Sequence, residues 1–273
     1  MTASRTLIVW GMHRSGTSML ASWLKACDLD IGRELLGEGL GNERGHFEDM
    51  DFLRLHERIL AANGILCGGL LKTEPLRLSP ALHSEMRELV RRKSQSPQWG
   101  WKEPRTCLFS REYLQLLPDA CHLVVFRHYA LVVDSLVRRH IRKRAGRLQR
   151  KHGLKRSYYE WRLKLWQRFR LPGVINRYLA AWVKYNENLL ELVEQVGPNA
   201  LVLDAGHFLA SSEQVFRQLQ TWGFVLQSFP AADCVDASMI AAAPSRQYAY
   251  DPALKARAER ILQRLSERAL MLG

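Results

Sequence analysis

Apolar and polar positions along the chain mark out strands and helices in turn. Thr6–Trp10 is a short apolar run, partly β-branched, and predicts a buried strand. After the stretch Gly11–Ser18, residues Met19, Leu20, Trp23, Leu24 and Cys27 recur at helical spacing. Gly32–Gly45 holds five glycines and predicts a long loop. From Asp49 to about Ala62 the pattern is helical, with Phe52, Leu53, His56, Ile59 and Leu60 on one side and Gly64 as the stop. Ser79 and Pro80 supply a cap and a first-turn proline for a helix running to Lys93. Trp99–Lys102 predicts a strand closed by Pro104, and Arg111–Leu117 a helix stopped by Pro118. Cys121–Arg127 and Asn199–Asp204 are two more core strands. Between them Ile175, Leu179, Trp182, Leu189 and Val193 mark a long helix ending at Gly197. Ser211 or Ser212 is the expected cap of a helix ending at Gly223, and the tail from Asp251 is helical. Strands alternating with helices predict an α/β fold, a parallel sheet with helices on both faces. With no repeat and no linker, residues 1–273 are expected to form one domain.

Composition changes this picture in one place. Hydrophobic residues make up 47% and charged residues 25% of the 273, an ordinary globular mixture. The net charge of +13 is local: Arg138–Arg170 contains 14 Lys or Arg against the single acid Glu160, and the rest of the chain is neutral. A basic helical insert at about 138–170 is therefore expected on a neutral domain. No apolar run approaches the length of a membrane span, and the strand at Thr6 leaves no room for a signal peptide before it. Cys27, Cys67, Cys107, Cys121 and Cys234 are odd in number and lack CxxC spacing, which suits reduced thiols and neither a disulfide frame nor a zinc site. The expectation is a cytoplasmic protein.

The chemistry starts at Gly11-Met12-His13-Arg14-Ser15-Gly16-Thr17-Ser18, between a strand and a helix. Glycines permit a tight turn whose backbone N–H groups wrap an anion, and the helix N-terminus adds unpaired donors. The spacing makes the loop P-loop-like, but Thr17 stands where a nucleotide triphosphatase loop has its lysine, leaving Arg14 as the only cation. A triphosphatase needs that lysine and Mg²⁺ to manage its phosphates. A phosphosulfate carries less charge at its transferring end, so fixed donors and one or two cations suffice, with no metal required. Arg127 closes a core strand, at the sheet edge where open α/β folds bind ligands, and Ser135 follows eight residues on. An arginine there can fork onto a phosphate and the serine can add a hydrogen bond. Spacing alone equally allows a solvated strand end and a routine helix residue.

The loop resembles the 5′-phosphosulfate-binding loop of the sulfotransferase family, in the Arg-Ser-Gly-Thr form of bacterial, Golgi and tyrosylprotein members. Arg127 and Ser135 are similar to the pair with which that family grips a 3′-phosphate. Asn42-x2-Gly45-His46-Phe47-Glu48-Asp49, Lys102-Glu103-Pro104-Arg105 and Trp182-x2-Tyr185-Asn186 also resemble family segments. The likeness covers residues 6–139 and the Trp182 helix, and fades in the basic insert and the last quarter. The Arg-Lys-Gly-x-x-Gly segment of cytosolic members is absent, with Ser245-Arg246 as a substitute. The resemblance implies a transferase using 3′-phosphoadenosine 5′-phosphosulfate as donor and a hydroxyl acceptor, a glycan or glycolipid by preference. It implies that His13, Arg14, Ser15, Gly16, Thr17, Ser18, Arg127 and Ser135 bind the donor. Arg14 and Lys102 then stabilise charge on the leaving group. Glu48, between an aromatic and a helix, is the candidate general base, with Glu34 and His13 as rivals.

Within Arg138–Arg170 the cations interleave with Tyr158, Tyr159, Trp161, Trp166 and Phe169, and Trp161, Leu165 and Phe169 share one helical face. Such a stretch suits an anionic membrane surface or an acidic acceptor, or is a solvated cover for a cleft. No recognition module for specific nucleic acid accompanies it. Two other functions fit parts of the chain: a metal-dependent small-molecule kinase, which the missing lysine argues against, and a non-catalytic binding module built on the basic segment.

Overall fold

The computed structural model describes residues 4–38, 45–65, 70, 76–146, 153–235 and 243–269, with backbone alone for 153–156. Asn42, Cys67 and the 147–152 part of the basic segment lie outside the described residues. Four strands form one parallel sheet: β1 (Arg5–Trp10), β2 (Gln98–Lys102), β3 (Cys121–Phe126) and β4 (Ala200–Asp204), in the order β2-β1-β3-β4. Its register sets Val9 opposite Lys102 and Trp10 opposite Val124. The strands are buried on both faces, as a sheet covered by helices requires. Leu7, Val9, Leu123 and Val125 point to one layer, and Ile8, Trp10, Val124 and Phe126 to the other.

On the first face lie α1 (Thr17–Ala26), α8 (Phe208–Thr221) and the short α9 (Ala231–Cys234), built around Leu20, Trp23, Leu24, Phe208 and Val215. The second face carries α2 (Met50–Ala62), α3 (Pro80–Lys93), α4 (Ser110–Leu116), α5 (Tyr129–Gly146), α7 (Leu171–Val196) and α10 (Pro252–Arg268). There Phe52 stacks on Trp101 with ring centroids 4.3 Å apart, and Trp182 is fully buried. α6 (Gly153–Phe169) packs outside this layer, against α5 and α7.

The four strands and helices α2, α3 and α4 form within one or two residues of where the pattern places them, whereas α7 starts four residues before Ile175 and α5 starts at Tyr129, ahead of the basic stretch. Asp49, Ser79 and Asp251 each cap the helix that follows. The serines before Gly223 do not. α8 starts at Phe208, after a 3-10 turn whose Gly206 N–H is held by Asp204 at the end of β4. Ser211 and Ser212 sit inside the helix and donate back to the carbonyls of His207 and Leu209. Asp204 caps the 3-10 turn, and α8 itself starts from His207 without a side-chain capping hydrogen bond.

Candidate active site

β1 and β3 are neighbours and parallel, so the loops after both emerge at one edge of the sheet. Chain order reverses here, since β2 lies on one side of β1 and β3 on the other, and such a switch point leaves a crevice at the carboxyl ends of the strands. The Gly11–Ser18 loop enters it from β1. A Cβ at Gly11 would stand 2.6 Å from the Val125 carbonyl oxygen, so only glycine lets the loop pass over β3. Gly16 precedes α1 at φ 89° and caps it with no side-chain hydrogen bond, so no side chain at the cap covers the N-terminus of the helix. Arg14 also has positive φ, at 72°, a conformation that favours glycine and is held here against that preference.

Arg14 joins the loop to the second strand end. Its Nε donates to Ser135 Oγ at 2.9 Å, across 121 residues of sequence. Arg127 follows β3 directly, and its carbonyl accepts from Trp182 Nε1 at 3.0 Å, which ties the strand end to α7. Arg139, Arg127, Arg138 and Arg142 lie close enough to Arg14 to act on it electrostatically. Burial first and then these like charges push its guanidinium down to about 10. Burial also lowers Arg127. On the same stretch of α5, Asp134 accepts from Ser245 N–H, Ser245 Oγ, Tyr248 Oη and Arg138 Nε. The Ser245-Arg246 segment is thereby fastened one residue from Ser135.

The end of β2 supplies the other wall. Lys102 is 1% exposed, and its Nζ lies 3.2 Å from both Ser18 Oγ and Glu48 Oε1. Burial lowers the Lys102 pKa while Glu48 acts against that shift. Glu48 reaches the site from a turn in which Phe47 has φ 52°, and His46 Nδ1 stands 3.9 Å from the Glu48 carboxylate. Glu34 is elsewhere: it forms a two-pronged, solvent-exposed pair with Arg54. His13 does belong to the cluster. Its Nε2 is buried with no hydrogen-bond partner among the described residues, and burial, with Arg105 beside it, pushes the imidazole down to about 3. Ser15 is fully buried, and its Oγ likewise lacks a partner among the described residues.

Beneath Lys102 lies a network that spacing did not reveal. Glu103 is fully buried and accepts from Arg105 Nη1 and from the Arg105 amide, and its other short contact is with His56 Nδ1 at 2.5 Å. His56 Nε2 is 2.7 Å from Tyr113 Oη. Burial acts to raise Glu103, but Arg105 and His56 outweigh it and hold the carboxyl below its ordinary range. Arg139 was also missed. Its signal is helical spacing, four residues beyond Ser135 and so on the same face of α5.

No family model matches the chain, and no curated protein matches it in sequence. Among solved structures it is similar to the sulfotransferase domain from the curacin biosynthetic pathway. The TM-score is 0.52 and the identity 14%, over 97% of this chain and 99% of that one. The chain has the fold of a sulfotransferase domain. Two further structures match less well. The sulfotransferase domain of the Synechococcus PCC 7002 olefin synthase has TM-score 0.49 and 15% identity, over 100% of this chain and 98% of that one. A sulfotransferase from Mycobacterium avium has TM-score 0.46 and 14% identity, over 100% and 74%. In this fold the loop after β1 lies between the ends of β3 and β2, where Arg14 meets Ser135 on one side and Ser18 meets Lys102, itself beside Glu48, on the other, residues drawn from the whole first half of the sequence. No group of three or more metal-ligating side chains occurs among the described residues.

Proposed function

We propose that this protein is a sulfotransferase that moves a sulfuryl group from 3′-phosphoadenosine 5′-phosphosulfate to a hydroxyl acceptor. The observation that carries the reading is the Arg14–Ser135 hydrogen bond. It brings the Gly11–Ser18 loop beside the helix that follows Arg127, which suits a ligand carrying phosphate on both the 3′ and the 5′ oxygen of one ribose. The arginines around Arg14 repel one another, and a polyanion relieves that cost on binding.

In this reading the loop amides, Arg14, Ser15, Thr17 and Ser18 hold the phosphosulfate, and Arg127 and Ser135 hold the 3′-phosphate. His13 lines the sulfate end, where its buried Nε2 meets a polar group. Ser245-Arg246, anchored on Asp134, closes over the nucleotide. Glu48 takes the proton of the acceptor hydroxyl as its oxygen bonds to sulfur. The bond between sulfur and the bridging oxygen breaks, and Lys102 with Arg14 neutralises the charge that collects on the departing phosphate. Lys102 touches both the loop serine and the base, so one cation orients the proton acceptor and meets the leaving group. The acceptor we favour is a glycan or glycolipid hydroxyl, met in the cytoplasm.

The test is thermal stabilisation by 3′-phosphoadenosine 5′-phosphate in EDTA, set against ATP with Mg²⁺. A ligand bound by the native state alone at about 100 times its Kd adds about 2.7 kcal/mol of stability. The expected result is a metal-independent rise in midpoint that Arg14→Ala and Arg127→Ala reduce. Glu48→Gln should keep the rise and slow transfer by about 10²–10⁴. Stabilisation by ATP–Mg²⁺ alone would replace this reading with a kinase.

A further inference from the structure

α6 exposes what a globular surface ordinarily hides. Tyr158 is 52% exposed, Trp161 57%, Leu165 42% and Phe169 66%, and these are four of the seven large hydrophobic residues most open to solvent among those described. At 100° per residue they fall within one narrow arc of the helix. The helix docks by a different side, where Trp166 stacks on His140 of α5 at 5.1 Å and lies under Arg144 at 4.1 Å. The outward arc is therefore surplus to the folding of the domain.

The cations are arranged around that arc. On the helical wheel Arg162 borders it on one side, and Lys164 and Arg168 on the other. The Arg162 guanidinium lies 5.6 Å from the Tyr158 ring and that of Arg168 5.9 Å from the Phe169 ring, so the charged heads sit at the rims of the aromatic strip. All three cations are open to solvent. An apolar strip on a helix about 25 Å long, bordered by positive charge, has the design of a helix lying in a bilayer interface. No helix among the described residues is long and apolar enough to cross a membrane.

We propose that the outer face of α6 docks the protein on an anionic lipid surface. The aromatic and leucine side chains enter the headgroup boundary, and Arg162, Lys164 and Arg168 meet lipid phosphates. Charge complementarity selects this occupant over a second copy of the chain, because two α6 faces brought together would oppose like-charged borders. The inference does not rest on the sulfotransferase reading, since it needs neither donor nor acceptor.

The experiment is sedimentation of the full chain with large vesicles, either phosphatidylcholine alone or equal parts phosphatidylcholine and phosphatidylglycerol, at an ionic strength of about 0.1 M. Two variants accompany the wild type: Trp161→Ser/Leu165→Ser/Phe169→Ser, and Arg162→Gln/Lys164→Gln/Arg168→Gln. Light scattering reads the mass of each in solution. The expected result is binding to the anionic vesicles, weakened on the order of 100-fold by loss of the three cations. Loss of the apolar triad should weaken it by about tenfold or more. Because both sets of side chains face solvent, the thermal midpoints of the variants should stay close to that of the wild type. Equal binding to neutral and anionic vesicles, or binding unchanged in either variant, would overturn the proposal. So would a wild-type dimer that the apolar variant splits while no vesicle is bound.

Discussion

Two stretches of this chain look alike on paper and behave as opposites. Trp101-Lys102-Glu103-Pro104-Arg105 and Trp161-Arg162-Leu163-Lys164-Leu165-Trp166 both start with a tryptophan followed directly by a cation and carry a second cation two or three residues on. In the first, Trp101, Lys102 and Glu103 are buried to 1% exposure or less, and Arg105 to 9%. In the second, Trp161 and its neighbouring cations stand in solvent. The difference is the partner. Lys102 has Glu48 and Ser18, and Arg105 has Glu103, so each buried cation meets an acid or a hydroxyl. The second stretch itself contains no acid. A cation can leave water only when a partner replaces its hydration, and where none is supplied it stays outside and draws its helix face with it.

The largest effect that can break this contrast is on stability. Glu103→Ala removes the carboxylate partner of buried His56 and leaves Arg105 with the half-exposed Glu57 at 3.5 Å, and should cost about 3–5 kcal/mol in urea unfolding. A loss below about 1 kcal/mol, the range of a surface pair, would mean that water reaches the network and that the burial contrast is overstated. Next comes catalysis. Lys102→Met should lower the transfer rate by about 10²–10³. Its effect and that of Glu48→Gln should combine less than additively, because the two side chains touch. Full additivity would separate base from cation.

A smaller effect should appear in acid. Burial pushes His122 down to about 4 and His13 to about 3, so both are neutral in the folded protein where the unfolded chain binds protons. Their contribution is fully present above about pH 6.5 and is lost as pH falls toward those values, at roughly 1 kcal/mol per pH unit for each. His122→Asn keeps an acceptor for Trp10 Nε1 and should flatten part of that slope. An unchanged slope would show that His122 does not take up a proton on unfolding. The smallest effect belongs to the exposed stretch: Lys164→Gln should leave folding stability within about 0.5 kcal/mol, in contrast to every change around Lys102.

Much of the site was legible because the loop announces itself locally. Gly11 and Gly16 at their spacing, between a strand and a helix, predict an anion cradle without knowledge of anything distant. Lys102 and Glu48 were candidates, but no pattern joins residues 54 apart, and their contact depends on β2 pairing with β1. On paper Glu34 is the rival of Glu48, the preferred base. The structure separates them by turning one to Arg54 in solvent and the other to Lys102. His56 was read only as part of the buried side of α2, because a histidine at helical spacing does not show that a carboxylate awaits it. The Ser211 and Ser212 expectation failed because α8 begins at Phe208, directly after the 3-10 turn that Asp204 caps, which leaves both serines inside the helix.

The sequence by itself determined most of the elements, the parallel α/β class, the glycine-bounded turn between β1 and α1, and the position of the basic stretch. Each of these follows from periodicity, turn chemistry or charge within a window of some ten to thirty residues. Only the tertiary structure decided which cations are paired inside and which are left in water, and which acid faces Lys102. It also decided that Arg14 and Ser135 meet across 121 residues. Those outcomes depend on strand order and on the desolvation of charges, and desolvation is a property of everything packed around a group rather than of the residues beside it in the chain.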